Sequence, residues 1–170
     1  MVQMRLVSMT FDGALLNRGF WLYVCEVRTR GNRRFFYVGM TGDSSSLHAS
    51  SPFRRFARHL DDSPHAKANS LHRALTTKNI KPIACRFKVC ALGPIFAEAR
   101  SRSSHRVRRD RIGKLESALA ASLLDSGYRV LGNHPAPGTL SKSQDRLLLE
   151  LLEQINRKLR MHATAFDRSI

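Results

Sequence analysis

Two runs of aromatic and β-branched residues, Phe20 to Arg28 (FWLYVCEVR) and Arg33 to Met40 (RRFFYVGM), are separated only by Thr29-Arg30-Gly31-Asn32. Such residues favour strands, and Gly and Asn tolerate the positive φ that a tight reversal demands. This spacing predicts a β-hairpin, and with it a sheet around which the rest of the chain has to pack.

After Gly39 comes a Ser-rich loop to Ser50. Ser51-Pro52 then reads as a helix start, a Ser N-cap with Pro at the first helical position. Phe53, Phe56 and Leu60 recur at helical spacing behind it, while Arg55 and His59, four apart, project from one side. A second short helix is expected over Ala66 to Thr77, with Leu71, Ala74 and Leu75 inward. From Pro82 the period becomes two. Ile83, Cys85, Phe87, Val89 and Ala91 alternate with Ala84, Arg86, Lys88 and Cys90, predicting a half-buried strand that Gly93-Pro94 ends. Ile95 to about Ser126 reads as helix, in one or two parts, with Ile112, Leu115, Leu119 and Leu123 as its apolar stripe. An extended piece at Tyr128 to Leu131 and a Pro-rich loop lead to a final amphipathic helix, from Ser141 to about Met161. Its face of Leu148, Leu151, Leu152, Ile155 and Leu159 needs a cover, either its own domain or a second copy in a homodimer.

The expected fold is therefore α/β in the α+β sense: a small, mostly antiparallel three-stranded sheet flanked by helices, plus a C-terminal amphipathic helix. The domain division that follows is an N-terminal extension over 1–19, a central domain over 20–133, and a loop and helix over 134–170.

Charge narrows the partners. Lys plus Arg number 29 against 13 Asp plus Glu, a net charge of +16 and a pI near 11.1. An excess of this size points to a polyanion. No stretch approaches the roughly 20 apolar residues that span a bilayer, and Arg5, Asp12, Asn17 and Arg18 break up any signal-peptide core. A cytoplasmic protein without a membrane partner is expected, its three cysteines reduced, with Cys25 and Cys85 explained by packing on candidate strands. His59, Asp61, Asp62 and His65 match no established metal-ligand spacing, and Ser63-Pro64 marks a helix end among them. They are set aside.

Trp21-Leu22-Tyr23, followed fourteen residues later by Tyr37-Val38-Gly39 and then Thr41, resembles the paired motifs of the GIY-YIG nucleases. The resemblance continues in order along the chain. Arg55 and His59 look like the family's R-x-x-x-H, Glu116 like its metal-binding glutamate, and Asn133 like its terminal asparagine. It covers Phe20 to about Asn133. One position departs from the pattern: Trp21 stands where the family usually has glycine, so local packing there must differ.

The resemblance implies a metal-dependent endonuclease with Mg²⁺ or Mn²⁺ on Glu116; DNA rather than RNA is the expected nucleic acid. Tyr23 would take a proton from the attacking water and Tyr37 would bond water or phosphate. Arg55 would bind phosphate oxygens through its planar fork, and His59 would relay a proton or touch phosphate. Tyrosine's ordinary pKa of about 10 requires a nearby cation for the first of these roles. Arg100, Arg102, Arg106, Arg108, Arg109, Arg111 and Lys114 lead into Glu116 and are the expected track for a nucleic-acid backbone. The rival reading is a non-catalytic nucleic-acid-binding module on the same fold.

Cooperation between the tyrosines constrains the hairpin. A two-residue Gly31-Asn32 loop would pair Tyr37 with Glu26 and put the two tyrosines on opposite faces. Shared chemistry requires an odd-length connection or a bulge, such as a three-residue loop with a glycine in the left-handed region.

Overall fold

A computed structural model of the chain describes residues 4, 6–42 and 48–159. Within these, β1 (Phe20–Arg28) and β2 (Arg34–Met40) form the hairpin, and α1 (Pro52–His59) and α2 (Ser70–Thr76) follow. Next come β3 (Arg86–Phe96), the long α3 (Arg102–Asp125), the short β4 (Val130–Leu131) and α4 (Lys142–Leu159). The fold is α+β. The sheet has four strands, not three, in the order β3-β1-β2-β4. The piece expected to be merely extended pairs parallel with β2, Leu131 opposite Tyr37.

The hairpin has the odd connection that shared tyrosine chemistry requires. Thr29 N–H donates to the Arg33 carbonyl at 3.1 Å, and Arg28 pairs with Arg34, which leaves Arg30, Gly31 and Asn32 as the loop. The left-handed residue is Asn32 (φ 57°), not Gly31. Asparagine tolerates that region better than other side chains, so glycine is not required there. Tyr37 consequently pairs with Cys25 and Gly39 with Tyr23.

Two expectations fail at β3. Ile83 is not a strand residue; it lies in the 3-10 turn Pro82–Ala84 and is 96% exposed. Proline at the first position fixes φ for that turn. At the other end, Gly93-Pro94 does not stop the strand. Ile95 and Phe96 continue it, and α3 begins only at Arg102, capped by Ser101 Oγ, which accepts from Ser104 N–H at 3.2 Å. β3 is an edge strand, where a residue without an N–H is tolerated. The irregularity falls between the pairs Leu22–Leu92 and Phe20–Phe96.

This irregularity accommodates Trp21. A Cβ on Gly93 would come within 2.8 Å of the Trp21 ring. The space for the Trp21 ring on β1 is provided from β3. Thr41 ties the strand ends, its Oγ1 accepting from Trp21 N–H at 2.8 Å and its hydroxyl donating to the Gly19 carbonyl.

Both sheet faces are covered. Tyr23, Cys25, Val27, Phe35 and Tyr37 pack with Leu71 and Leu75 of α2, Ile80 and Leu131. Val24, Phe36 and Val38 pack with Leu119, Ala120 and Leu123 of α3 and with Ile155 and Leu159 of α4. Phe20 and Leu22 pack with Ile112, Leu115 and Leu151. The leucine face of α4 is therefore covered by its own chain, which removes the argument for a homodimer through that face. It also joins α4 to the sheet rather than leaving it as an appendage.

The ends of α4 explain its register. Ser141 and Gln144 form a reciprocal capping box: Ser141 N–H donates to Gln144 Oε1 at 3.0 Å, and Gln144 N–H to Ser141 Oγ at 3.4 Å. At the other end Lys88 Nζ donates to the Lys158 carbonyl at 2.7 Å and Arg34 Nη2 to the Leu159 carbonyl at 3.3 Å. Cations at a helix C-terminus bond its last carbonyls and oppose its dipole. Met161, the expected end of this helix, lies outside the described residues. No helix among them is long and apolar enough to cross a membrane.

Candidate active site

Tyr23 and Tyr37 lie on one sheet face, in adjacent strands. Tyr23 is fully buried, and its ring lies over Gly39, its cross-strand partner. A Cβ at position 39 would sit 2.3 Å from the Tyr23 hydroxyl and 2.4 Å from Cζ. The glycine of Tyr37-Val38-Gly39 is thus required by a close approach, not by backbone conformation. Gly39→Ala is expected to displace Tyr23 and cost about 1–3 kcal/mol, as overpacking does. A lowered thermal midpoint together with lost activity would bear this out, whereas an unchanged midpoint would contradict it.

α1 delivers Arg55 and His59 to the same face. Ser51 Oγ accepts from Arg54 N–H at 3.3 Å and fixes the helix start. His59 is buried beneath the tyrosines, with ring centroids 6.2 Å from Tyr23 and 5.3 Å from Tyr37. The Tyr37 hydroxyl lies 3.4 Å from His59 Nδ1. Ser70 stands closer to both, its Oγ 2.7 Å from the Tyr37 hydroxyl and 2.7 Å from His59 Nδ1.

Glu116 comes from α3. Its carboxyl, the Arg55 guanidinium and both tyrosine hydroxyls lie within electrostatic reach of one another. Burial pushes Glu116 up to about 7, against the downward pull of Arg55 and Arg109. Burial raises Tyr23 well above the ordinary tyrosine value, reinforced by Tyr37 and Glu116, and Arg55 opposes this without cancelling it. Burial likewise raises Tyr37, with Ser70 pulling the other way. His59 is lowered to about 4, by burial first and Arg55 second, and is neutral at physiological pH. The cation needed to assist Tyr23 is in place, but burial outweighs it.

Asn133 is exposed just beyond β4. Its neighbour His134 is half-buried. A Cβ on Gly132 would touch both the Tyr37 ring (3.5 Å) and His134 Nε2 (3.7 Å). Burial lowers the pKa of His134. Neither Ser70 nor His134 stands out in the sequence. Helical periodicity puts Ser70 inside a longer helix, whereas α2 starts at it. His134 sits in a loop whose prolines mark it only as a boundary.

The arginine cluster divides. At about 100° per residue, Arg109 lies about 20° from Glu116 around α3, Arg102 about 40° and Arg106 about 80°. Arg111 and Lys114 lie about 140° and 160° away, on the opposite side. Arg108 is committed to structure: its Nη1 donates to the Ala97 carbonyl at 2.7 Å and the Glu98 carbonyl at 2.9 Å. Arg100 is exposed ahead of the helix. Of the cluster, Arg102, Arg106 and Arg109 thus lie on the Glu116 side of α3.

Among the described residues no three His, Cys, Asp or Glu side chains cluster as metal ligands, so His59, Asp61, Asp62 and His65 form no such site. Two open depressions, of about 670 and 320 Å³, lie beside α1 and α2 and are lined by neither tyrosine. Comparison with protein-family models, curated proteins and solved structures finds no match.

Proposed function

We propose that this chain is a metal-dependent endonuclease that hydrolyses nucleic-acid phosphodiester bonds, with DNA rather than RNA as the expected substrate. The observation that carries this reading is the gathering of Arg55, His59 and Glu116, from two other parts of the sequence, within electrostatic or ring-contact reach of the two hairpin tyrosines. Packing alone gives no reason to assemble a buried histidine, an arginine and a desolvated carboxylate beside two buried hydroxyls.

The residues suit phosphoryl chemistry. Arg55 presents a permanent positive charge to a phosphate and to the negative charge that grows as water attacks. His59 and the tyrosines supply sites where a proton can be held or moved. Glu116 suits a hard divalent cation, because a desolvated carboxylate retaining a proton to about 7 gains from a cation that replaces that proton. A single carboxylate is sufficient for Mg²⁺ or Mn²⁺, which keep several waters and share phosphate oxygens with substrate. When bound, such an ion neutralises phosphate charge and polarises the oxygens around phosphorus.

Arg102, Arg106 and Arg109 extend the positive surface away from Glu116. Replacing all three with Gln is expected to weaken binding and to flatten the slope of log affinity against log salt, by up to about 0.9 for each phosphate of duplex DNA that is no longer neutralised. Replacing Arg111 and Lys114 is expected to flatten it less. Equal changes from the two sets, in titrations over a salt series, would place the binding surface elsewhere.

The reading as a whole is tested by incubating the chain with supercoiled plasmid, branched DNA and RNA, each with Mg²⁺ or EDTA. Cleavage that EDTA stops supports it. Salt-sensitive binding without cleavage would make the chain a binding module on the same fold.

A further inference from the structure

Ser70, like His134, is a residue at this site that the sequence does not single out, and its position is specific. A serine hydroxyl carries one proton and accepts through its lone pairs. With partners at 2.7 Å on both sides, the Tyr37 hydroxyl and His59 Nδ1, it can donate to only one of them. Two polarities fit this geometry. In one, Tyr37 donates to Ser70 and Ser70 donates to His59. In the other, His59 Nδ1–H donates to Ser70 and Ser70 donates to Tyr37. These two arrangements are the beginning and the end of one proton transfer. The direct approach between Tyr37 and His59 is longer, 3.4 Å, so the short path runs through serine.

We propose that Ser70 joins Tyr37 to His59 as a proton relay, so that the proton lost by the attacking water leaves through Tyr37 and Ser70 to His59 Nδ1. This rests on the nuclease reading above. The water proton passes to Tyr37 Oη as the Tyr37 proton passes to Ser70 Oγ and the Ser70 proton to His59. The water oxygen bonds to phosphorus, the bond from phosphorus to the leaving oxygen breaks, and that oxygen takes a proton from solvent. No tyrosinate accumulates, which matters because burial disfavours one at either tyrosine. His59, buried and neutral, begins in the state that can accept; burial and Arg55 oppose its charged form and the Ala68 backbone favours it, so it holds the proton only transiently. Tyr23, fully buried and lying over Gly39, then orients the group in front of it rather than ionising. Ser70 itself is a positioning residue, acting through the two side chains it joins.

The experiment measures single-turnover cleavage and substrate affinity for the wild-type chain and for Ser70→Ala, Ser70→Thr, Tyr37→Phe, His59→Gln and the Ser70→Ala/His59→Gln pair. Ser70→Ala is expected to slow cleavage on the order of 100-fold, the low end for lost acid–base assistance, with affinity within about twofold. Ser70→Thr, which restores a hydroxyl, should recover most of the rate. The double variant should be no slower than the slower single one, because members of one unit are not additive. The ¹⁵N resonance of His59 Nδ1 should move in Ser70→Ala and return in Ser70→Thr. If Ser70→Ala does not fold, Tyr37→Phe and Ser70→Thr carry the same comparison. Cleavage by Ser70→Ala at the wild-type rate, or losses that multiply in the pair, would overturn the relay and leave the nuclease reading standing. A wild-type chain that cuts nothing would remove both.

Discussion

Glu116→Gln is expected to reduce cleavage by about 100- to 1,000-fold, the scale on which one preorganised electrostatic group acts. Nucleic-acid affinity should stay equal or rise. The substitution keeps the shape of the side chain and removes the only charge in the group that repels phosphate, since Arg55, the tyrosines and neutral His59 do not. Gel-based cleavage and binding assays on the same preparations separate the two effects. The variant has a second consequence, independent of activity. Glu116 in the folded chain holds its proton to about 7, against about 4.3 for an unperturbed glutamate. Between those values the folded state binds the proton more tightly than the unfolded state does, so this group's contribution to stability falls as pH rises through that window. His59, lowered to about 4, acts oppositely, since the unfolded state binds more protons between about 4 and the ordinary histidine value of about 6.5. The difference between wild type and Glu116→Gln isolates the carboxyl. Relative to the Glu116→Gln variant, the wild type should lose stability from about pH 5 towards pH 7 and regain it on adding Mg²⁺.

Truncation before α4 is expected to have the largest structural effect. Leu151 is 0% exposed, Leu159 2% and Ile155 6%, and together they cover Val24, Phe36, Val38 and Phe20 from one side. Each large-to-small change at such a position costs about 2–5 kcal/mol. Three such losses equal the whole stability of an ordinary domain, about 5–15 kcal/mol. A chain ending at Thr139 should therefore be unfolded or aggregated, and Leu151→Ala alone should lower the thermal midpoint by several degrees. A truncated chain with an unchanged midpoint would mean that α4 only rests on the sheet.

The hairpin is legible in the sequence because its signals are local. Two strand-forming runs and a Gly-Asn reversal lie close together along the chain, and the requirement for an odd loop follows from side-chain alternation alone. The helix faces are legible for the same reason: Leu71 and Leu75, and the stripe of α4, follow a periodicity that burial matches. The errors occur where tertiary pairing overrides local signals. Pro94 stops a strand in sequence logic, yet at a sheet edge it has no partner to lose. Val130 and Leu131 become strand only because β2 offers an open edge to them. Ser70 reads as one more helix residue until α2 starts there and its hydroxyl meets His59. The arginine run looks like one stripe in sequence, whereas helix geometry separates Arg109 from Arg111 and the Ala97 and Glu98 carbonyls occupy Arg108. Residue type and order are enough to nominate the candidates, and only geometry divides the labour among them.

We propose that the group around Tyr23, Tyr37, Arg55, His59 and Glu116 cuts nucleic acid. Its most direct test is a cleavage assay on plasmid and branched DNA with Mg²⁺, comparing the wild-type chain with Glu116→Gln and Arg55→Gln, all shown by circular dichroism to be folded. The account predicts that the wild type cuts, that EDTA stops it, and that both variants bind without cutting. Cutting by either variant at the wild-type rate, or a folded wild type that cuts neither substrate, would contradict it.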